Sequence, residues 1–521
     1  MPENHEAKTE NVSDAYGKID DIESSWVLTL SKQNPESSSE DVTPPTLLDF
    51  MKENDTSMQN IEYAKGAEAY EKGNYGQAFK WFHAAAQQGY VKAYFILGMM
   101  YSNYDNKGIP QNHRKAIKWF DKAAKQGHVQ AQTALRRQSQ LIEAEQAHEL
   151  AAQNYNQRRF LQALPLAEKS FKIRTKVLGE KHPNTLVSLN GFALIHQALG
   201  HLSDALPLLE NAYHLNKTLS GDTHPDTIIS MNNLAIIYKK LGRLSDALPL
   251  YEKSYRLSKE AFGEKHQNTL ISLDNLALFY TYIDRLSDAL PLSEKAYRLF
   301  EGVLGEKHPD TIKSLSNLAD IYKKSGRLSD ALPLSEKAHR LSKEILGEKH
   351  PHTLINMDNL AIIYQDLGRL SDALSLSEKC YHLHKEVLGE KHLDTLISLN
   401  NLAIIYQELG RLDEAWPLFE KAYHLSKEVL GEKHPNTFSS LNSLAMIHYA
   451  LDRFSDALPL FEKCYQLKKE VLGEKHFSTI KSMNELVQTY QKLGRFSDAL
   501  PLLEKSVRLS KEVLGEPQPS K

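Results

Sequence analysis

Eight histidines recur at one spacing: His182, His224, His266, His308, His350, His392, His434 and His476 each stand 42 residues after the last. Imidazole is the commonest metal ligand and a frequent general base, so a regular set of this kind invites a zinc or catalytic reading. Geometry removes it. Zinc holds its nitrogen ligands at about 2.0–2.1 Å, so its histidines must converge within a few ångströms. Equivalent residues of stacked helical units stand about 10 Å or more apart, because packed helix axes are about 8–10 Å apart. The eight cannot share an ion. They belong instead to the turn before Pro183 and its equivalents, where His-Pro shapes the entry into a helix. The two cysteines, Cys380 and Cys464, are 84 residues apart, which makes a bridge implausible and points to a reducing, cytoplasmic compartment. No metal and no cofactor is expected.

Other chemistry is equally hard to place. The chain has no G-x-x-x-x-G-K-[ST] phosphate loop, no G-x-G-x-x-G, no H-E-x-x-H, no C-x-x-C and no nucleophile elbow. Its acids and bases recur with the 42-residue period, whereas an active site needs a unique constellation. Outside the repeats lie an acidic tail, a short joining helix near 136–150, and the segment EPQPSK. No enzyme is expected.

The elements that carry these residues follow from the period. A glycine recurs at 179, 221, 263, 305, 347, 389, 431, 473 and 515, and nine 42-residue units cover about 142–519 of a repeat domain bounded at 136–519. In one unit Leu399, Leu402, Ala403 and Tyr406 fall at i, i+3, i+4 and i+7, one apolar helical face. Gly410, or Asp284 and Asp452 at the equivalent place, ends that helix. Ser245 and Asp246 illustrate a cap residue and an acid at the start of the second helix, with Pro249 in its first turn. The second helix carries Ala415, Phe419 and Ala422 and closes at Gly431 with an expected left-handed cap. Such units cannot bury their apolar faces alone and must stack, which gives an all-α solenoid of antiparallel helix pairs.

This spacing resembles the tetratricopeptide repeat. The 42-residue length, the LNNLA helix and the LGEKHP loop are similar to the kinesin light chain type. The resemblance implies a right-handed superhelix whose concave wall is lined by the first helix of each unit. A different repeat lies upstream. Ala78-Phe79-Lys80-Trp81-Phe82 matches Ala116-Ile117-Lys118-Trp119-Phe120, both blocks ending in Gln-Gly, and together they resemble two Sel1-like repeats over 59–135. Residues 1–58 hold 13 acids and four lysines and are expected to form a disordered acidic tail. Its Trp26, beside Asp20, Asp21 and Glu23, suggests a segment able to occupy its own groove.

Related tetratricopeptide proteins line their grooves with the positions of residues 397, 400, 404 and 407. Position 400 reads Asn190, Asn232, Asp274, Ser316, Asp358, Asn400, Asn442 and Asn484, small polar groups able to pair with an extended peptide backbone. Position 404 reads Leu194, Ile236, Leu278, Asp320, Ile362, Ile404, Met446 and Gln488, an apolar stripe. Lys239, Lys313 and Lys323 add positive charge that suits an acidic ligand. The expected site is therefore a peptide groove formed by these residues, in a non-catalytic scaffold or adaptor. Alternatives are the substrate-recognition subunit of an enzyme complex, or a bacterial effector exported to act on host trafficking proteins. The net charge is −3 and the groove mixes signs, which argues against nucleic acid. No stretch approaches the roughly 18 apolar residues of a membrane span, and the N-terminus, MPENHEAKTE, does not read as a secretory signal.

Overall fold

The computed structural model describes residues 60–102 and 110–514. The tail expected over 1–58, Trp26 included, and residues 103–109 of the expected Sel1-like segment lie outside the described residues. Those described are helical throughout, with no strand among them. They fall into two compact units, one ending at Phe192 and one beginning at Ala193.

The first unit opens with α1 (Ile61–Glu71), α2 (Tyr75–Gln87), α3 (Val91–Ser102) and α4 (His113–Lys125). Two glycines allow these helices to close. A Cβ on Gly66 would meet the Phe82 ring at 2.8 Å, and one on Gly98 would meet Phe120 at 2.6 Å. Both phenylalanines are fully buried. The joining segment expected near 136–150 is instead the middle of one 28-residue helix, α5 (Val129–Asn156). It packs against α4 on one side and α6 (Phe160–Leu178) on the other. The seam between α5 and α6 holds Ser170, whose hydroxyl donates to the Ala144 carbonyl at 2.8 Å.

The second unit is a run of pairs. After the end of α7 (Pro183–Ala198) come α8 (Leu202–Ser220), α9 (Pro225–Lys240), α10 (Leu244–Phe262), α11 (Gln267–Tyr282) and α12 (Leu286–Leu304). Then follow α13 (Pro309–Lys324), α14 (Leu328–Leu346), α15 (Pro351–Asp366), α16 (Leu370–Leu388) and α17 (Leu393–Glu408). The chain finishes with α18 (Leu412–Leu430), α19 (Pro435–Ala450), α20 (Phe454–Leu472), α21 (Phe477–Lys492) and α22 (Phe496–Leu514). Leu399, Leu402 and Ala403 are buried, as are Ala415, Phe419 and Ala422, so the two apolar faces meet. Tyr406 extends the face to the repeat before, donating its hydroxyl to Glu378 Oε1 at 2.6 Å. Tyr238, Tyr280, Tyr322, Tyr364 and Tyr490 make the same bond 28 residues back.

The helix ends differ from expectation in instructive ways. The repeated histidine is itself the N-cap: His308 Nδ1 accepts the Asp310 amide at 3.2 Å, and His224, His266, His350, His392, His434 and His476 do the same. Histidine is not among the preferred N-cap residues, so residue type alone does not point to this role. The second helices are capped by arginine, not by serine. Arg243 precedes α10 without a side-chain cap, and Ser245 lies inside the first turn. Arg243 Nε instead donates to Asp246 Oδ2 at 2.7 Å. Pro249 is the sixth residue of α10, past the amides that lack intrahelical partners, so it removes one helix hydrogen bond. Gly431 has φ 84° with ψ 166°, an extended mirror-image conformation rather than the left-handed helical one. Asp284 and Asp452 take φ 60° and 56°, as the Gly410 position requires.

Candidate functional site

Within the second unit, successive first helices pack directly on one another, α9 on α11, α11 on α13, and so on to α19 on the previous first helix. Successive second helices make no comparable contact among the described residues. A stack whose first helices touch and whose second helices splay apart curves toward the first helices. They form the inner wall.

The curve brings distant repeats together. His434 Nε2, at the start of α19, lies 3.2 Å from the Ala198 carbonyl oxygen at the end of α7, 236 residues away. A Cβ on Gly200 would meet Pro435 Cδ at 2.5 Å, and one on Gly242 would meet His476 Cδ2 at 2.8 Å. Leu472 packs on the cluster around Leu202 and Leu241. At 42 residues per repeat, 236 residues make about five and a half repeats per turn. His434 and His476 are buried in this contact and held down to about 4, in both cases by burial first.

The expected site residues divide along the wall. Asn190 belongs to the first unit, where it is buried with no hydrogen-bond partner for Oδ1. In the second unit Asn232, Asp274, Asp358 and Asn400 are buried too. They turn into the seam toward the next repeat. Asn232 Nδ2 donates to Ser272 Oγ at 3.2 Å. Asp274 accepts from Ser314 at 3.3 Å and from Asn317 at 2.6 Å. Asp358 accepts from Ser398 at 2.5 Å. Asn400 is fully buried, and neither its Nδ2 nor its Oδ1 has a hydrogen-bond partner. Asn442 is half-buried and donates to Glu485 at 3.2 Å, while Asn484 is exposed and accepts from Ser506 at 2.6 Å.

The apolar stripe behaves differently. Ile236 is buried, but Leu278, Ile362, Ile404 and Met446 are half-buried on the inner helices. The residue seven positions before each of the first three, Ile271, Ile355 and Ile397, is half-buried as well. In α11, α15 and α17 two turns of aliphatic surface therefore reach solvent from a wall that is otherwise packed. The cations, all half-buried, stand on neighbouring inner helices, Lys239 on α9 and Lys313 and Lys323 on α13. Lys239 Nζ lies 5.7 Å from the centre of the Tyr282 ring, and Lys323 Nζ lies 3.4 Å from Asp320. Lys313 occupies the place taken by isoleucine in α11, α15 and α17. Farther along, Gln365 donates to Glu408 at 2.6 Å, and burial, with Asp366 beside it, raises the Glu408 carboxyl.

Stacked helix pairs presenting an inner wall define an α-solenoid. The chain belongs to the tetratricopeptide repeat family, whose pattern it matches in overlapping blocks from 143–218 to 437–512, and residues 61–90 and 91–128 match the Sel1 repeat. No curated protein matches it significantly. Among solved structures it is similar to a putative kinesin light chain from Podosopora anserina with nearly identical TPR-like repeats. That match is 28% identical, covers 41% of this chain and 99% of the other, and has a TM-score of 0.35. BtubC (BKLC) from P. vanneervenii is 21% identical over 46% of this chain and 95% of its own, with a TM-score of 0.38. NprR in complex with its cognate peptide NprX is 18% identical over 69% of this chain and 98% of its own, with a TM-score of 0.45.

Proposed function

We propose that the chain is a non-catalytic scaffold that binds an extended segment of a partner protein along the inner wall of residues 193–514. The observation that carries this reading is the half-exposed aliphatic stripe of Leu278, Ile362, Ile404 and Met446 with Ile271, Ile355 and Ile397. Lys313 and Asp320 interrupt the stripe at α13, but over α15, α17 and α19 it is continuous, and a contiguous exposed apolar surface usually marks a binding site. Membership of the tetratricopeptide repeat family supports an interaction role. Lys239, Lys313 and Lys323 favour acidic side chains in the ligand. Asn442 and Asn484 are the ladder residues placed to meet its backbone. Asn232, Ile236, Asp274, Asp358 and Asn400 set the wall from behind and act on the ligand by holding the helices in register.

A displayed library of random peptides, panned on the full chain, tests this reading. Peptides selected on the native chain should lose binding to Ile362→Glu and Ile404→Glu, and should keep it on Lys391→Ala, whose side chain pairs with Glu428 between exposed groups. Binding that survives both glutamate substitutions in a normally helical protein would place the ligand elsewhere.

A further inference from the structure

Behind the inner wall, each repeat seam carries a buried polar node. It is built from the ladder residue, two residues one turn apart on the following second helix, and a residue of the next first helix. The side chains that fill it differ from repeat to repeat. At Asn232, Ser272 Oγ gathers Asn232, Ser254 and Ser258, each at 3.2 Å. At Asn442 a lysine completes it, Lys468 Nζ donating to Ser482 at 2.8 Å. One node differs in kind. Cys380 and His384 project from α16 toward Asp358 of α15, with Ser398 of α17 across the seam. Cys380 Sγ is 3.5 Å from His384 Nδ1, and Nδ1 is 3.9 Å from Asp358 Oδ2. The three donor atoms all lie within 4.8 Å of one another.

We propose that Asp358, Cys380 and His384 form a buried site for a zinc-type divalent cation. Zinc binds thiolate sulfur at about 2.3 Å and imidazole nitrogen at about 2.0–2.1 Å in a tetrahedron, which puts the two donors about 3.5 Å apart. That is the separation seen, and the carboxylate oxygen, 3.9 Å from Nδ1, must close in on the ion. One thiolate, one imidazole and one carboxylate select a borderline-soft ion over magnesium or calcium. The charge also fits. Thiolate and carboxylate together neutralise a dication in a place where lone charges are costly. Without an ion, burial pushes the Asp358 carboxyl up to about 7, with Asp394 adding to the rise and Ser398 and Cys380 opposing it. None of these neighbours is a cation. The Cys380 thiol is pushed well up by burial first and by Asp358 second. An entering ion binds the thiolate, so the thiol proton must leave as it enters. Asp358 Oδ1, buried with no hydrogen-bond partner, leaves a second acceptor at the site.

The Ser398 hydroxyl now stands between the donors, 2.7 Å from Nδ1 and 2.5 Å from Asp358 Oδ2. Its equivalents show where it can go. Ser188, Ser230 and Ser482 each donate to the carbonyl four residues back, at 3.2, 2.7 and 3.1 Å. The same rotation onto the Asp394 carbonyl opens the centre; left in place, the hydroxyl supplies a fourth donor. Entry requires one seam to part, which a repeat stack permits without loss of the others.

The test uses the full chain, stripped with chelator and titrated with Co2+, which reports thiolate ligation by a charge-transfer band. One ion per chain should give that band, and Zn2+ should bleach it. Binding should tighten as pH rises, because the ion competes with protons. Cys380→Ala and His384→Ser should lose the band; the next node already carries Ala422 and Ser426 at these places, so the seam tolerates both. Cys464→Ala should keep it. A band absent from the native chain, or one that survives Cys380→Ala or His384→Ser in a protein of normal circular dichroism, overturns the site. If Cys380→Ala fails to fold, His384→Ser alone decides.

Discussion

His434 Nε2 meets the Ala198 carbonyl oxygen at 3.2 Å, while its Nδ1 accepts the Asn436 amide at 3.1 Å. One neutral ring thus caps its own helix and clasps a repeat 236 residues earlier. A second proton would end the cap by occupying Nδ1. Burial is the main cause that holds His434 and His476 down to about 4, against a usual 6.5. A depressed histidine pKa means that the unfolded chain binds the proton more readily, so its stabilising contribution is present above pH 6.5 and is lost as pH falls from 6.5 toward 4. Each histidine contributes on the order of 3 kcal/mol across that window. The denaturation midpoint of the native chain should drop more steeply over it than that of His434→Asn/His476→Asn, where asparagine keeps the cap and removes the titration. The comparison matters because Asp358, raised to about 7, works in the opposite sense. Equal slopes would show that the rings do not titrate as a clasp.

The two repeated glycines predict opposite tolerances. Gly389 adopts φ 90° with ψ 161°, a region nearly closed to side chains. Gly389→Ala should cost about 1–3 kcal/mol in urea denaturation. Gly410, at φ 72°, occupies the conformation that Asp284 and Asp452 accept in two sister repeats. Gly410→Asp should cost well under half as much. A Gly410→Asp penalty equal to that of Gly389→Ala would mean that the repeats are not interchangeable at this turn.

In the first unit, close packing replaces conformational need. Gly66 and Gly98 are helical, and the Phe82 and Phe120 rings lie where their Cβ atoms would be. Gly66→Ala and Gly98→Ala should each destabilise by about 1–3 kcal/mol through overpacking, despite the higher helix propensity of alanine. Pairing Gly66→Ala with Phe82→Leu should recover part of the loss, measured as a thermal midpoint. No recovery would locate the strain in the backbone.

The repeat was legible because a 42-residue period makes each residue an independent vote on the same helix pair. Glycine and aspartate at the Gly410 position agreed with the backbone for that reason. Individual roles were less legible where they depend on distances between repeats. Histidine as N-cap follows from one Nδ1 geometry, and the clasp to Ala198 follows from superhelical curvature, which no single repeat encodes. The helical wheel placed position 400 on the inner side of the helix. It could not show that the next first helix comes close enough for Ser272 or Ser314 to cover that position. The unusual donor set at Asp358 is hard to read from the sequence because Cys380 and His384 lie 22 and 26 residues away and the combination occurs in one repeat alone.

That cover on position 400 yields the sharpest contrast along the wall. Asn232 gives one hydrogen bond to Ser272, so Asn232→Ala should lower stability by about 1 kcal/mol. Asn400 is equally enclosed but has no partner for either amide atom. A buried amide left unsatisfied costs about 1–3 kcal/mol, and an apolar group of similar shape avoids that cost. Asn400→Leu should therefore leave stability unchanged or raise it by about 1 kcal/mol. Neither substitution should alter affinity for groove-selected peptides by more than about twofold, since neither side chain reaches solvent. Ile404→Glu, one helical turn from Asn400 and half-exposed, should abolish that affinity while shifting stability little. Urea denaturation and peptide titration on the three variants separate the cases. If Asn400→Leu instead removes peptide binding, the seam opens when ligand arrives and the buried amides take part in recognition directly.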